Sequence, residues 1–175
     1  MRLIVEWGLI ALSFSLCAVG SAWAEKADRN RPVQIEADSV RMDDARKTAT
    51  YDGHVILTQG TMSMRAARID VSQDAQGMTS GVAVGKPVEF KQKMEGRDEF
   101  MEAEADRIEY DARTEVVKLI GAAHLKQGSD ELRGASITYD MRSERYQALG
   151  SSDGSGKGRV HAVIRPHNQG APAKP

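Results

Sequence analysis

Val33-Gln34-Ile35-Glu36-Ala37-Asp38 alternates apolar and polar residues with a period of two. Successive side chains of a strand point to opposite faces, so this pattern marks a half-buried β-strand. The same alternation recurs in both directions along the chain. Similar runs span Thr48 to Thr58, Met62 to Val71, Val82 to Phe90, Met101 to Tyr110, Glu115 to Leu125, Glu131 to Tyr139 and Arg159 to Arg165. Turn signals separate them: Asp43-Asp44, Asp52-Gly53, Gln59-Gly60, Gln76-Gly77, Gly85-Lys86-Pro87, Gln127-Gly128 and Ser151 to Gly158. Many strands at this spacing predict an all-β sandwich, roll or barrel. A helix over Asp98 to Ile108 competes, since that stretch is rich in Glu and Ala. It is rejected because Met101, Ala103 and Ala105 alternate with Glu102, Glu104 and Asp106.

An internal repeat supports the reading. Placing Gly53 on Gly121, an offset of 68 residues, superposes the two halves without gaps. Glu36-Ala37-Asp38 falls on Glu104-Ala105-Asp106, Asp43 on Asp111, Leu57 on Leu125, Gln59-Gly60 on Gln127-Gly128, and Arg65 on Arg133. Repeats of this kind mean supersecondary units stacked on one continuous core. Each unit also carries a break in phase. Val33, Ile35 and Ala37 share one parity, while Val40 and Met42 have the other; Ala105 and Ile108 are offset in the same way. A slip of one residue moves the apolar set to the opposite face, and a bulge restores register while bending the sheet. Recurrent bends curl a sheet into a roll.

Before this domain, Leu9 to Val19 is an apolar run preceded by Arg2 and followed by Ala22-Trp23-Ala24. That is the layout of a secretory signal peptide over residues 1–24, with the mature chain starting at Glu25. The run is short for a membrane span. The lone cysteine, Cys17, lies inside it, as do Trp7 and Trp23 in the wider segment, so the mature chain has neither residue type. Disulfides, thiol catalysis and thiolate metal sites are excluded together. Residues 25–165 form the expected domain and residues 166–175 a polar tail. The whole chain has 24 basic and 25 acidic residues, and a net charge of −1 offers no basic footprint for nucleic acid.

The search for chemistry returns little. His54, His124, His161 and His167 stand at no metal-ligand spacing. No serine sits in a Gly-x-Ser-x-Gly elbow. Asp43 and Asp44 resemble a carboxylate pair, but the repeat of Asp43 at Asp111 fits turn capping better. Gly154 to Gly158 lacks the phosphate-loop pattern. The expectation is therefore a non-enzyme with no cofactor and no metal. What remains is a stripe of aliphatic and methionine side chains: Val33, Ile35, Met62, Met64, Val82, Val84, Val88, Phe90, Ile108, Tyr110, Leu125 and Leu132. It is either a plain core or the lining of a lumen for alkyl chains, to which flexible methionines adapt.

Pro32 to Asp38, the run Tyr51-Asp52-Gly53-His54-Val55-Ile56-Leu57-Thr58-Gln59-Gly60, and Gly85-Lys86-Pro87-Val88-Glu89-Phe90 resemble the LptA family of periplasmic lipopolysaccharide-transport proteins with the OstA-like fold. Gly121 to Gly128 and Arg133 to Tyr139 fit the second half of that family. The resemblance covers about residues 30–165. It implies an open, twisted β-jellyroll of antiparallel strands whose lumen shields lipid A acyl chains. It also implies a periplasmic location and head-to-tail copies joined through terminal strands. Such a chain would bridge an LptC-type inner-membrane module and an LptD-type outer-membrane module. On this resemblance Val33 and Ile35 belong to a lipid-contacting first strand, and Phe90 and Tyr110 point inward. Met62, Met64, Val88, Ile108 and Leu125 complete the expected lumen lining. The Glu95 to Glu99 segment and the short tail depart from the family pattern. The alternative is a non-lipid structural or assembly module of the cell envelope.

Overall fold

The computed structural model describes Asp28 and residues 31–75, 77–94, 96–151 and 158–165. The expected signal segment and polar tail lie outside the described residues. Ten strands make one antiparallel sheet: β1 (Gln34–Glu36), β2 (Ser39–Asp43), β3 (Thr48–Gln59), β4 (Met62–Asp74), β5 (Gly77–Lys93), β6 (Phe100–Asp111), β7 (Val116–Gln127), β8 (Asp130–Asp140), β9 (Arg145–Leu149) and β10 (His161–Val163). Strands β3 to β8 follow one another as a meander. At one edge β1 and β2 pair with the two halves of β3; at the other, β10 and β9 pair with the two halves of β8. The sheet does not close.

The repeat is visible in the hydrogen-bond ladder. Strand β3 and strand β7 are offset by 68 residues at both ends. The register shift between Asp52 and Val55 recurs between Ile120 and Ala123. The gap between β1 and β2 recurs as the shift between Glu104 and Arg107 in β6. Further shifts interrupt β4 and β5 at Arg65/Arg68 and Val84/Val88. Joined across neighbouring strands, these irregularities draw one crease through the sheet. Two leaves result, and residues of both leaves share one buried cluster that includes Val55, Val88, Ala105, Ala123, Ile69, Ile108 and Ile137. The phase break read in the sequence is thus the fold line of the roll.

Two predicted turns are not turns. Asp52-Gly53 and Gly85-Lys86-Pro87 lie within continuous strands, at the crease. Gly53 (φ +83°) and His54 (φ +46°) form the bulge in β3, and Gly121 (φ +79°) and Ala122 (φ +45°) form its copy in β7. Left-handed backbone suits glycine because it lacks a Cβ, and it bends the strand without ending it. The predicted turns at Asp43-Asp44, Gln59-Gly60 and Gln127-Gly128 join hairpins as expected, while Gln76 and residues 152–157 lie outside the described residues. Asp43, Asp111 and Asp140 each accept main-chain N–H bonds from the turn that follows, at 2.9 to 3.1 Å. These are structural caps, and the Asp43-Asp44 pair has no site geometry around it.

Strand β9 was missing from the sequence reading. It is an edge strand paired only to β8, and of its five residues only Ala148 is half-buried. With one partner and little burial, it carries almost no alternation signal. The predicted last strand, Arg159 to Arg165, shortens to β10.

Candidate functional site

Each long strand sends alternate side chains into the space between the two leaves. Lateral register then lines these side chains up in rows. One row crosses the sheet from edge to edge: Ile35, Leu57, Met64, Phe90, Ala103, Leu125, Leu132 and Ala162 are successive cross-strand partners. No charged side chain interrupts it. On the other leaf, Tyr51, Ile69, Ala83, Ile108, Leu119, Ile137 and Ala148 make a matching row. Parallel to it, Tyr110 lies beside Val117, which pairs Tyr139, which pairs Tyr146. The Tyr139 and Tyr146 rings stack with centroids 4.3 Å apart. The stacked Tyr139 ring takes water from one face of the otherwise exposed Tyr146 and, with the Tyr139 hydroxyl, pushes the Tyr146 phenol above its ordinary range.

The expected lining residues fall on this inner face but differ in exposure. Val88, Ile108 and Leu125 are buried and belong to the shared core. Ile35, Met62, Met64, Phe90 and Tyr110 are half-buried. Val33, just outside β1, is 52% exposed at the sheet edge. The buried members hold the leaves together at the crease. The half-buried ones flank it and keep part of their apolar surface exposed. Leu57 and Met101 belong to the same face, and simple alternation within β3 and β6 could have found them. Tyr139 shares the parity of Ile137 and follows from the same alternation in β8, whereas Tyr146 does not, because β9 carries too little alternation.

Val82 and Val84 do not belong to the inner stripe. They pair with Asp70 and Arg68 on one side and with Glu109 and Arg107 on the other, which places them on the outer face. They share numerical parity with Val88 and Phe90. The irregularity between Val84 and Val88 breaks that parity, so Ala83 rather than Val84 is buried.

Charges collect outside. Arg68 bonds Asp70 at 2.9 Å, Arg107 bonds Glu109 at 2.7 Å, and Arg133 bonds Glu131 at 3.3 Å. Lys91 and Lys126 bond the two oxygens of Glu102 at 2.8 and 3.4 Å. The Lys91 hydrogen bond, with Lys126 adding to it, holds the Glu102 carboxyl below its ordinary range. His54 meets Asp38 at 2.8 Å at the crease. His124 lies on the outer face, 3.6 Å from Glu131 and 3.9 Å from Glu104. Among the described residues no three His, Cys, Asp or Glu side chains are placed to hold a metal ion. Nothing in this arrangement brings a nucleophile, a base and an anion-binding group together. Its chemistry is that of an apolar inner face with a charged exterior.

Comparison with known proteins agrees with this geometry. Residues 34–145 match the family model described as LptA/(LptD N-terminal domain) LPS transport protein. The lipopolysaccharide export system protein LptA of Haemophilus influenzae is 30% identical over 93% of this chain and 94% of its own length. LptA of Escherichia coli K12 is 32% identical, over 90% of this chain and 84% of its own. The crystal structure of LptH of Pseudomonas aeruginosa, described as the LptA-homologous periplasmic component of a lipopolysaccharide transport device, superposes with a TM-score of 0.69. It is 30% identical and covers 80% of this chain and 99% of its own.

Proposed function

We propose, for a chain that belongs to the LptA/LptD N-terminal-domain family of lipopolysaccharide transport proteins, that its cleft carries lipopolysaccharide by sheltering the acyl chains. It is a transport and binding protein and not an enzyme. The observation that carries the reading is the uninterrupted apolar row from Ile35 to Ala162, buried at its middle and half-exposed at Met64 and Phe90. Each methylene withdrawn from water contributes roughly 0.8 kcal/mol. A cleft with apolar walls therefore holds an acyl chain without a covalent step. Cargo can also pass between aligned clefts of equal affinity, since no bond has to be broken.

The roll works in the periplasm, reached through the signal segment 1–24, with 25–165 as the folded domain. It bridges an LptC-type module and an LptD-type module. The open sheet supports this, because β1 and β10 are each paired on one side only among the described residues. An unpaired strand edge presents N–H and C=O groups that template another strand. A head-to-tail contact of β10 with β1 of the next copy, or with the equivalent edge of either module, extends the sheet without closing it.

Site-specific photocrosslinking tests the lumen. A crosslinker replacing Ile35 or Phe90 should label lipopolysaccharide strongly, and one replacing Glu36 or Lys91 should not. Equal labelling at all four positions would return the stripe to the role of plain core and favour the assembly-module alternative.

A further inference from the structure

Two half-buried carboxamides stand at one end of the inner face, beyond its apolar row. Gln92 follows Phe90 by two residues on β5, and Gln127 follows Leu125 by two on β7. Between them lies Met101: Gln92 pairs with Met101, and Met101 pairs with Gln127. Adjacent strands are ~4.8 Å apart, so the two glutamines straddle Met101 within reach of one small group. Neither side chain has a hydrogen-bond partner among the described residues. Both amides still reach water, but a guest laid over them would cover them, and burying a polar group without a partner is costly; an aliphatic residue at either place would continue the stripe.

The repeat shows what such a position can hold. Gln127 is the counterpart of Gln59, which ends β3 as Gln127 ends β7. The Gln59 Nε2 donates to the main-chain carbonyl oxygen of Arg31 at 3.0 Å. The first half of the chain thus satisfies this carboxamide with an acyl-type carbonyl from its own N-terminal segment. The second half leaves it open.

The surroundings select against an anion. Lys91, Lys93 and Lys126 alternate to the outer face, where they bond Glu102 and Asp98. The residue paired with Gln127 is Asp130, a carboxylate. A phosphate or free carboxylate would meet this negative charge with no cation on the inner face to offset it. A neutral group that both donates and accepts fits two carboxamides, since each offers an N–H donor and a carbonyl acceptor.

We infer that Gln92 and Gln127 bind the hydroxylated head of an acyl chain, a hydroxyl close to its ester or amide carbonyl, and set how deep the chain lies in the cleft. The inference rests on the lipid-carrier reading and deepens it. The tail of the guest then runs past half-buried Phe90 and Met64, and Met101 adapts to its shape.

Methyl 3-hydroxymyristate and methyl myristate, each competing against a fluorescent fatty-acid probe, test it. The wild-type protein should bind the hydroxy ester on the order of 3- to 10-fold more tightly, the range of one or two net hydrogen bonds. Gln92→Met and Gln127→Met, singly and together, keep size and remove the amide. The double variant should lose the discrimination and hold methyl myristate at least as well as wild type, which also shows that it is folded; each single variant should lose part. Discrimination that survives in the double variant overturns the assignment. So does a wild type that binds both esters equally. A folded wild type that binds neither ester instead overturns the lipid-carrier reading, and the inference with it.

Discussion

The main chain at Gly53 passes so close to the Asp38 side chain that a Cβ on Gly53 would overlap its carboxylate, and Gly121 stands in the same relation to Asp106. The contact ties the crease together: the Asp38 main-chain N–H also donates to the Gly53 carbonyl oxygen at 3.0 Å, and the Asp38 carboxylate meets His54. The fold line depends on the absence of a side chain at these two glycines.

Gly53→Ala and Gly121→Ala should each lower stability by about 2 kcal/mol, from the overlap and from the positive φ together. Removing the obstructing carboxylate as well separates the two causes. Asp38→Ala with Gly53→Ala should recover part of the loss but not all, because the backbone strain at φ +83° persists. Chemical denaturation of the three variants reads this directly. Full recovery in the double variant would show that strain contributes nothing.

The capped turns give a dependence on pH. The turn's main-chain N–H groups, from Thr114 above all, hold the Asp111 carboxyl below its ordinary 3.8, and the Ser143 N–H leads the same effect at Asp140. A lowered folded value means the folded state favours the carboxylate. Its stabilisation is present above the ordinary value and is lost as pH falls through the folded value. Asp111→Asn with Asp140→Asn keeps the acceptor but cannot titrate. Melting curves between about pH 5 and pH 2 should fall less steeply for this variant than for wild type.

Core and rim separate by substitution. Val88 is 0% exposed, so Val88→Ala should cost about 2 kcal/mol through lost burial and a cavity, while lipid retention stays near wild type. Met62 is half-buried and sits at the end of the β3–β4 hairpin. Met62→Asp should leave the melting temperature nearly unchanged and cut lipopolysaccharide retention by about tenfold or more, because a guest would bury an unpaired charge. Thermal melting alongside lipid co-purification checks both. Equal loss of stability in the two variants would erase the distinction.

Deleting residues 159–175 removes β10, which is held to β8 through three residue pairs. The remaining strands keep their ladders, so the roll should stay folded by circular dichroism. Light scattering should show that concentration-dependent assembly is gone. Alanine at Val160 or Ile164, both exposed, should do far less, since strand addition relies on main-chain groups. Assembly of the truncated chain at the wild-type level would move the contact to another surface.

Much of the architecture could be read from residues alone. The alternation around Ile35 and Ala103 identified strands, and the 68-residue offset anticipated that β3 and β7 share length and bulge. The break in phase between Ala105 and Ile108 marks the crease. The LptA-family resemblance named the fold class and the transport function together, and the family match and the LptH superposition agree with both. Each of these signals is local or periodic, and local patterns are what a linear sequence carries well.

Tertiary structure decided the rest. Whether Val84 faced in or out depended on the irregularity before Val88, and parity cannot be carried across extra unpaired residues. Whether β9 existed depended on β8 offering it an edge, because Arg145 to Leu149 has too little burial to announce itself. The split of the stripe into buried Val88 and half-buried Phe90 depended on what the fold packs over each of them. Within an unbroken stretch of strand, side-chain type and spacing determined which residues point inward. Only the folding of one sheet onto itself determined which of them fill the core and which remain open to a guest, since burial is set by what packs opposite and that partner lies far away along the chain.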